Sequence, residues 1–192
     1  MKNSVTALCG LVALLATPVQ AAGDWSLVGN DSQVAFASIK KDTVGEVHHF
    51  GDLSGSVDGE GNVVVEIDVA SVETWIDIRN ERIQKMVLNA APVVTLKATV
   101  DAAELEAMET GDTDLVDVSG VLSLNGVEME IDTTLFIARL GEDRMMAVTD
   151  EMIMLSTADA GIDDGVTKLM QAAKLPGITR VAPVTLRLVF AR

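Results

Sequence analysis

Residues 116–137, VDVSGVLSLNGVEMEIDTTLFI, decide the fold. Val116, Val118, Leu122 and Leu124 alternate with Asp117, Ser119 and Ser123. After Asn125-Gly126 the pattern resumes: Val127, Met129, Ile131, Leu135 and Ile137 alternate with Glu128, Glu130, Asp132 and Thr134. Side chains two apart share a face of a strand, so each run has one apolar and one wet face. Asn-Gly between two such runs is a tight-hairpin signal, because both turn positions require positive φ. The stretch predicts an antiparallel hairpin whose apolar face looks into a core.

Working outward, the same period recurs. Val63, Val65, Ile67 and Val69 lie opposite Glu66 and Asp68, and Val184, Leu186, Leu188 and Phe190 opposite Thr185 and Arg187. Asp58-Gly59-Glu60-Gly61-Asn62 is a polar turn between strands expected at 52–58 and 62–70. Further runs near 25–29, 34–40, 92–101 and 144–156 bring the total to roughly eight strands. That number closes into a barrel able to hold one small ligand. Two helices are expected. The first covers 77–88, with Thr74 or Asp77 as cap. The second begins at Asp163 or Asp164, carries Val166, Leu169, Met170 and Ala173 at helical spacing, and ends before Pro176-Gly177. A short third turn is expected at 103–109. The fold class is therefore all-β, an antiparallel β-barrel of about eight strands with two short helices.

Residues 1–21 predict a signal peptide rather than fold. Lys2 provides the positive start, Val5 to Ala16 an apolar core too short for a retained anchor, and the small residues through Ala21-Ala22 a cleavage site. The expected mature domain is 22–192, placed in the periplasm. No other stretch is apolar and long enough to cross a membrane as a helix. Cys9, the only cysteine, leaves with the signal segment. Losing Lys2 as well leaves 13 basic residues against 29 acidic, a net −16. That charge disfavours nucleic acid and anionic lipid surfaces as partners.

Aromatic residues are scarce: two Trp, four Phe and no Tyr. Large rings fill barrels efficiently, so their scarcity leaves room for a cavity. A packed aliphatic core is the alternative, and composition by itself favours packing. Met145, Met146, Met152 and Met154 suit either reading, as adaptable lining or as gap filler.

The segment from Ser38 to Val100 resembles the YceI-like family of exported lipid- or polyisoprenoid-binding proteins. The resemblance rests on Ile39-Lys40-Lys41, Gly45-Glu46-Val47-His48-His49-Phe50, Leu53-Ser54-Gly55-Ser56-Val57, Ser71-Val72-Glu73-Thr74 and Ile76-Asp77-Ile78-Arg79-Asn80-Glu81-Arg82. It extends through the 120–126 hairpin and the closing strand at 183–190. Membership implies a lipocalin-like barrel with an apolar tunnel for an isoprenoid or fatty chain, no cofactor and no catalytic residues. Two positions depart from the family pattern: Met86-Val87-Leu88 stand where Leu-Phe is common before the Pro, and Ala91 replaces an aromatic beside Pro92. Both shrink groups near the implied tunnel.

By strand face, the tunnel lining is expected at Phe36, Val65, Ile67, Leu122, Met129, Ile131 and Leu188. Arg79, Arg82 and Lys85 recur on one helix face. Arg79 and Arg82 are the candidates to meet an anionic head group, against the alternative of a solvated face paired with Asp77 and Glu81. His48-His49 beside Glu46 is read as a non-metal pair, since adjacent strand residues point to opposite faces. Asp58, Glu60 and Asn62 have calcium-like spacing but lack the glycine and glutamate such a loop needs. Asp150-Glu151 and Asp163-Asp164 read as loop and cap rather than as an acid–base pair. The expected function is a periplasmic binding or carrier protein for an isoprenoid, quinone-like or fatty amphiphile, and not an enzyme. The alternative is a non-catalytic stress or protein-interaction module with a filled barrel. Its partner would be an envelope protein such as a membrane cytochrome. A homodimer is left open.

Overall fold

The hairpin at 116–137 forms in the computed structural model, which describes residues 24–89 and 91–192. The expected signal segment, 1–21, lies outside the described residues. Strands β8 (Thr113–Leu124) and β9 (Val127–Gly141) pair with Leu122 opposite Met129 and Val116 opposite Leu135. Asn125 and Gly126 turn with φ of 53° and 79°, the double left-handed turn their side chains permit. Both strands exceed the expected range, because the ladder continues into Thr113 opposite Ala138.

Twelve strands form one sheet, eleven of them in the order β1-β4-β5-β7-β8-β9-β10-β12-β2-β3-β6, with β11 paired to β12 off that path. The remaining members are β1 (Trp25–Leu27), β2 (Gln33–Lys40), β3 (Val44–Phe50), β4 (Leu53–Val57), β5 (Asn62–Asp68), β6 (Val72–Glu73), β7 (Val93–Thr99), β10 (Arg144–Thr149), β11 (Ile153–Ser156) and β12 (Val181–Ala191). Pairing of β1 with β12 closes the first eight of that order into an antiparallel barrel. Strand β12 is its spine. One edge carries β10 and then β11, and the other carries β1 and then β2. Strands β2, β3 and β6 extend the wall above β1 at one end. Among the described residues no helix is long and apolar enough to cross a membrane.

The all-β barrel expected from the sequence is the fold found, with differences in its parts. The run at 144–156 divides into β10 and β11, which meet different stretches of β12. A strand absent from the expected set, β3, pairs with β2 through a turn at Lys41 and Asp42. Both turn residues have positive φ (52° and 62°) without being glycine, so no turn signal marks them. The first helix is α1 (Asp77–Arg82) followed by a π-helical turn at Ile83–Val87. The short third turn is a helix, α2 (Ala102–Ala107), capped by Asp101, whose carboxylate accepts from the Ala103 and Glu104 amides. The other expected caps do not form. Ile76 precedes α1 and Ile162 precedes α3 (Asp163–Ala172), and neither bonds the helix through its side chain. Asp163 instead accepts from Thr157 Oγ1 at 2.6 Å.

One end of the barrel is filled. Trp25, Val57, Val65, Leu105, Met145, Leu188 and Phe190 are all buried in the core there. The Trp25 ring lies under two guanidinium groups, with Arg192 Cζ 4.0 Å and Arg139 Cζ 4.9 Å from its centroid. Arg192 also pairs with Glu106 of α2, which accepts from the indole N–H at 3.4 Å. This floor leaves only the opposite half of the barrel to hold anything.

Candidate functional site

The opposite half holds an open-mouthed cavity of about 430 Å3. Its sheet wall includes Phe36, Phe50, Ile67, Leu96, Leu122, Ile131 and Leu186. Its roof is α1 with its π-helical turn, laid against α3: Ile83, Val87, Val166 and Leu169 face the void. The roof stands off the barrel because its two parts pack on each other. A Cβ at Gly165 would lie 2.3 Å from Met86 O and 2.6 Å from Val87 Cα, so only glycine permits that approach. Arg180 pins α3, donating to the Asp163 carbonyl at 2.9 Å and to Thr167 Oγ1 at 3.0 Å.

Charged groups occur only at the lip. Glu46 accepts from Lys40 Nζ at 2.8 Å and from Arg79 Nη1 at 2.7 Å. Arg79 Nη2 donates to the Thr74 carbonyl at 2.6 Å, and Asn80 Oδ1 accepts from the Thr74 amide at 2.9 Å. Burial disfavours the Glu46 charge, but the hydrogen bonds and charges of Arg79 and Lys40 outweigh it and hold the carboxyl below its usual range. Arg82 stands at the same lip and forms no ion pair among the described residues. Next to this group His48 faces inward, 4% exposed, with Phe36 edge-on at 5.2 Å. His49 faces outward, 5.7 Å from the Trp75 ring. Among the described residues no cluster of three or more His, Cys, Asp or Glu is placed to hold a metal ion.

Burial and then the Arg79 charge push the His48 imidazole below its ordinary value of 6.5. The unfolded chain therefore takes up a proton near pH 6.5 that the folded chain refuses until lower pH. The stability this neutral ring contributes is present above about 6.5 and lost as pH falls through that window. Thermal unfolding midpoints of wild type are expected to drop between pH 7 and pH 5. In His48→Phe, which keeps a ring beside Phe36, the drop should be smaller. Identical slopes would show that another group titrates.

Of the residues expected to line the tunnel, Phe36, Ile67, Leu122 and Ile131 form the cavity wall. Val65, Met129 and Leu188 do not. Val65 and Leu188 belong to the packed floor, and Met129 packs against the core outside the void. Face assignment is right for all seven, but height along the barrel axis is not encoded in alternation. Arg79 and Arg82 are both at the lip. None of Met145, Met146, Met152 and Met154 touches the cavity. Residues not anticipated as lining include the wall positions Phe50, Leu96 and Leu186, the roof positions, signalled only by their helical spacing, and Lys40, Glu46 and His48. Val87 and Leu88, at one of the two family departures, also face the void, whereas Ala91 does not.

A closed antiparallel barrel with a filled floor, a helical roof and an apolar chamber between them is the architecture of a small-molecule-binding β-barrel. The YceI-like domain model matches residues 25–188, and the chain belongs to that family. A polyisoprenoid binding domain from Saccharophagus degradans, implicated in plant cell wall breakdown, is 34% identical. Its structure matches with a TM-score of 0.85 over 90% of this chain and 99% of that one. BcnA of Burkholderia cenocepacia shares the fold at 14% identity, with a TM-score of 0.62 over 85% of this chain and 98% of its own. No curated protein matches the chain.

Proposed function

We propose that this protein is a periplasmic carrier that sequesters the hydrocarbon tail of an isoprenoid, quinone-like or fatty amphiphile. The observation that carries the reading is an open-mouthed apolar chamber whose charged groups sit only at its lip. The signal-peptide pattern of residues 1–21 and the similarity to a polyisoprenoid binding domain support it. The mechanism is passive: tail methylenes exchange water for aliphatic walls, at about 0.8 kcal/mol each, or roughly 4 kcal/mol per isoprene unit at most. Three units amount to on the order of 12 kcal/mol before ordering costs. An apolar cavity of about 150 Å3 takes one benzene ring. A chamber of about 430 Å3 thus takes roughly three ring equivalents, or about 15–20 carbons. A longer chain would keep its remainder outside the lip.

Native mass spectrometry of protein drawn from its own periplasm, followed by extraction and identification of the bound lipid, tests the reading. A stoichiometric tailed amphiphile is expected. Protein that stays ligand-free, and fails to take up fatty acids or prenols in titration, would refute it. The lip adds a specificity. Arg79 is committed to Glu46 and Thr74 and Lys40 to Glu46, which leaves Arg82 as the available cation of the lip among the described residues. Arg82→Glu is expected to weaken a carboxylate-headed chain by about tenfold and to leave the matching alcohol unchanged.

A further inference from the structure

The whole-chain charge disfavours a lipid surface, but the charge is unevenly placed. The segments framing the mouth, 39–47, 73–88 and 157–180, carry eight basic and eight acidic residues. The rest of the chain from residue 24 onward carries five basic and 21 acidic. These three segments carry no net charge, while Asp52, Glu66 and Asp68 lie beside Gln84 and Lys85 of the roof.

Those balanced segments are also where apolar side chains are left in water. Trp75, between β6 and α1, is 77% exposed, and its φ of 63° is one a bulky residue rarely adopts. Its neighbours hold it there. Glu73 accepts its amide, Arg79 and Asn80 fix Thr74, and the ring is turned away from the core. Its ring meets His49 on the outer face of β3, and two residues along that face is Val47, 67% exposed and paired with Ala37 of β2. Strand β2 adjoins β12, where Pro183 pairs with Met154, 63% exposed. Ile76 and Ile78 are exposed on one side and line the cavity on the other, so this apolar surface is continuous with the mouth. Contiguous exposed apolar surface of this kind marks an interaction site, and amphipathic rings such as indole settle at membrane–water interfaces.

We propose that the Trp75 face docks the mouth onto a lipid bilayer, so that the tail passes between bilayer and chamber without crossing water. This rests on the carrier reading, because the molecule carried is itself at home in a bilayer. The segments that carry Val47, Trp75, Ile76 and Ile78 have no net charge, so this face meets little electrostatic barrier there.

The test uses the intact protein with phosphatidylcholine vesicles, with and without phosphatidylglycerol, carrying brominated lipid as a quencher. Trp25 is 4% exposed at the far end and serves as the internal reference. Quenching of Trp75 emission is expected. Trp75→Ser should reduce vesicle co-sedimentation by roughly tenfold to a hundredfold. It should also slow transfer of a fluorescent fatty acid from vesicles, with its affinity in vesicle-free buffer unchanged. Equal transfer rates for wild type and variant would overturn the proposal. So would shielding of Trp75 by self-association in the absence of lipid, which would assign the face to a second copy of the chain. Quenching without any uptake of the fatty acid in vesicle-free buffer would instead sustain docking and refute the carrier reading.

Discussion

With Leu122→Phe and Ile131→Phe combined, the protein is expected to fold as before and to lose at least about a hundredfold in affinity for a sixteen- to twenty-carbon amphiphile. Both side chains point from the long hairpin into the chamber, Leu122 opposite Leu96 on one side and Met129 on the other. Both are only half-buried although they lie inside the barrel, because they border a void. Two phenyl rings would occupy volume the tail needs and bring in no polar atom that requires a partner. A hundredfold loss is about 2.7 kcal/mol, equivalent to excluding three or four methylenes at about 0.8 kcal/mol each. Filling a void adds contacts, so the unfolding midpoint should hold or rise. Titration with a fluorescent fatty acid beside a thermal melt checks both. Wild-type affinity in the double variant would place the binding site elsewhere.

How far the sequence carries this reading depends on the position. The hairpin at Asn125-Gly126 is legible because its turn chemistry and both apolar runs agree. Strand β5 is legible through Val63, Val65 and Ile67. Strand β3 is not, and the reason is its polarity. Its inward positions include Glu46 and His48, and its outward positions include Val47, so the expected polarity is inverted. The inward polar residues build the lip with Arg79, 33 residues from Glu46 in sequence. The outward Val47 belongs to the exposed apolar face. Local pattern rules fail where a site requires them to fail. The turn before β3 hides for a local reason, with Lys41 and Asp42 adopting left-handed conformations without glycine. The division of the barrel into chamber and floor is hidden too. It arises from α2, Trp25 and its two arginines closing one end, and from Gly165 letting the roof pack on itself at the other.

Leu188→Ala separates floor from wall. Alternation places Leu188 on the same inward face as Leu186, and by that criterion it lines the tunnel. In the structure Leu186 faces the void, and Leu188 lies opposite Ala147 in the floor, 4% exposed. Truncating a leucine packed that tightly typically costs about 2–5 kcal/mol, from lost transfer energy and the cavity left behind. For a domain of this size the unfolding midpoint should fall by roughly 5–20 °C. Affinity for a sixteen-carbon chain should stay within about threefold, because no tail atom reaches that depth in a chamber of about 430 Å3. A wall residue would behave the other way. Its truncation would enlarge an existing void, cost the ligand-free protein little, and weaken or lengthen the preferred tail. If Leu188→Ala leaves the melt unchanged and shifts chain-length preference upward, the tunnel runs the full length of the barrel and the floor is not closed.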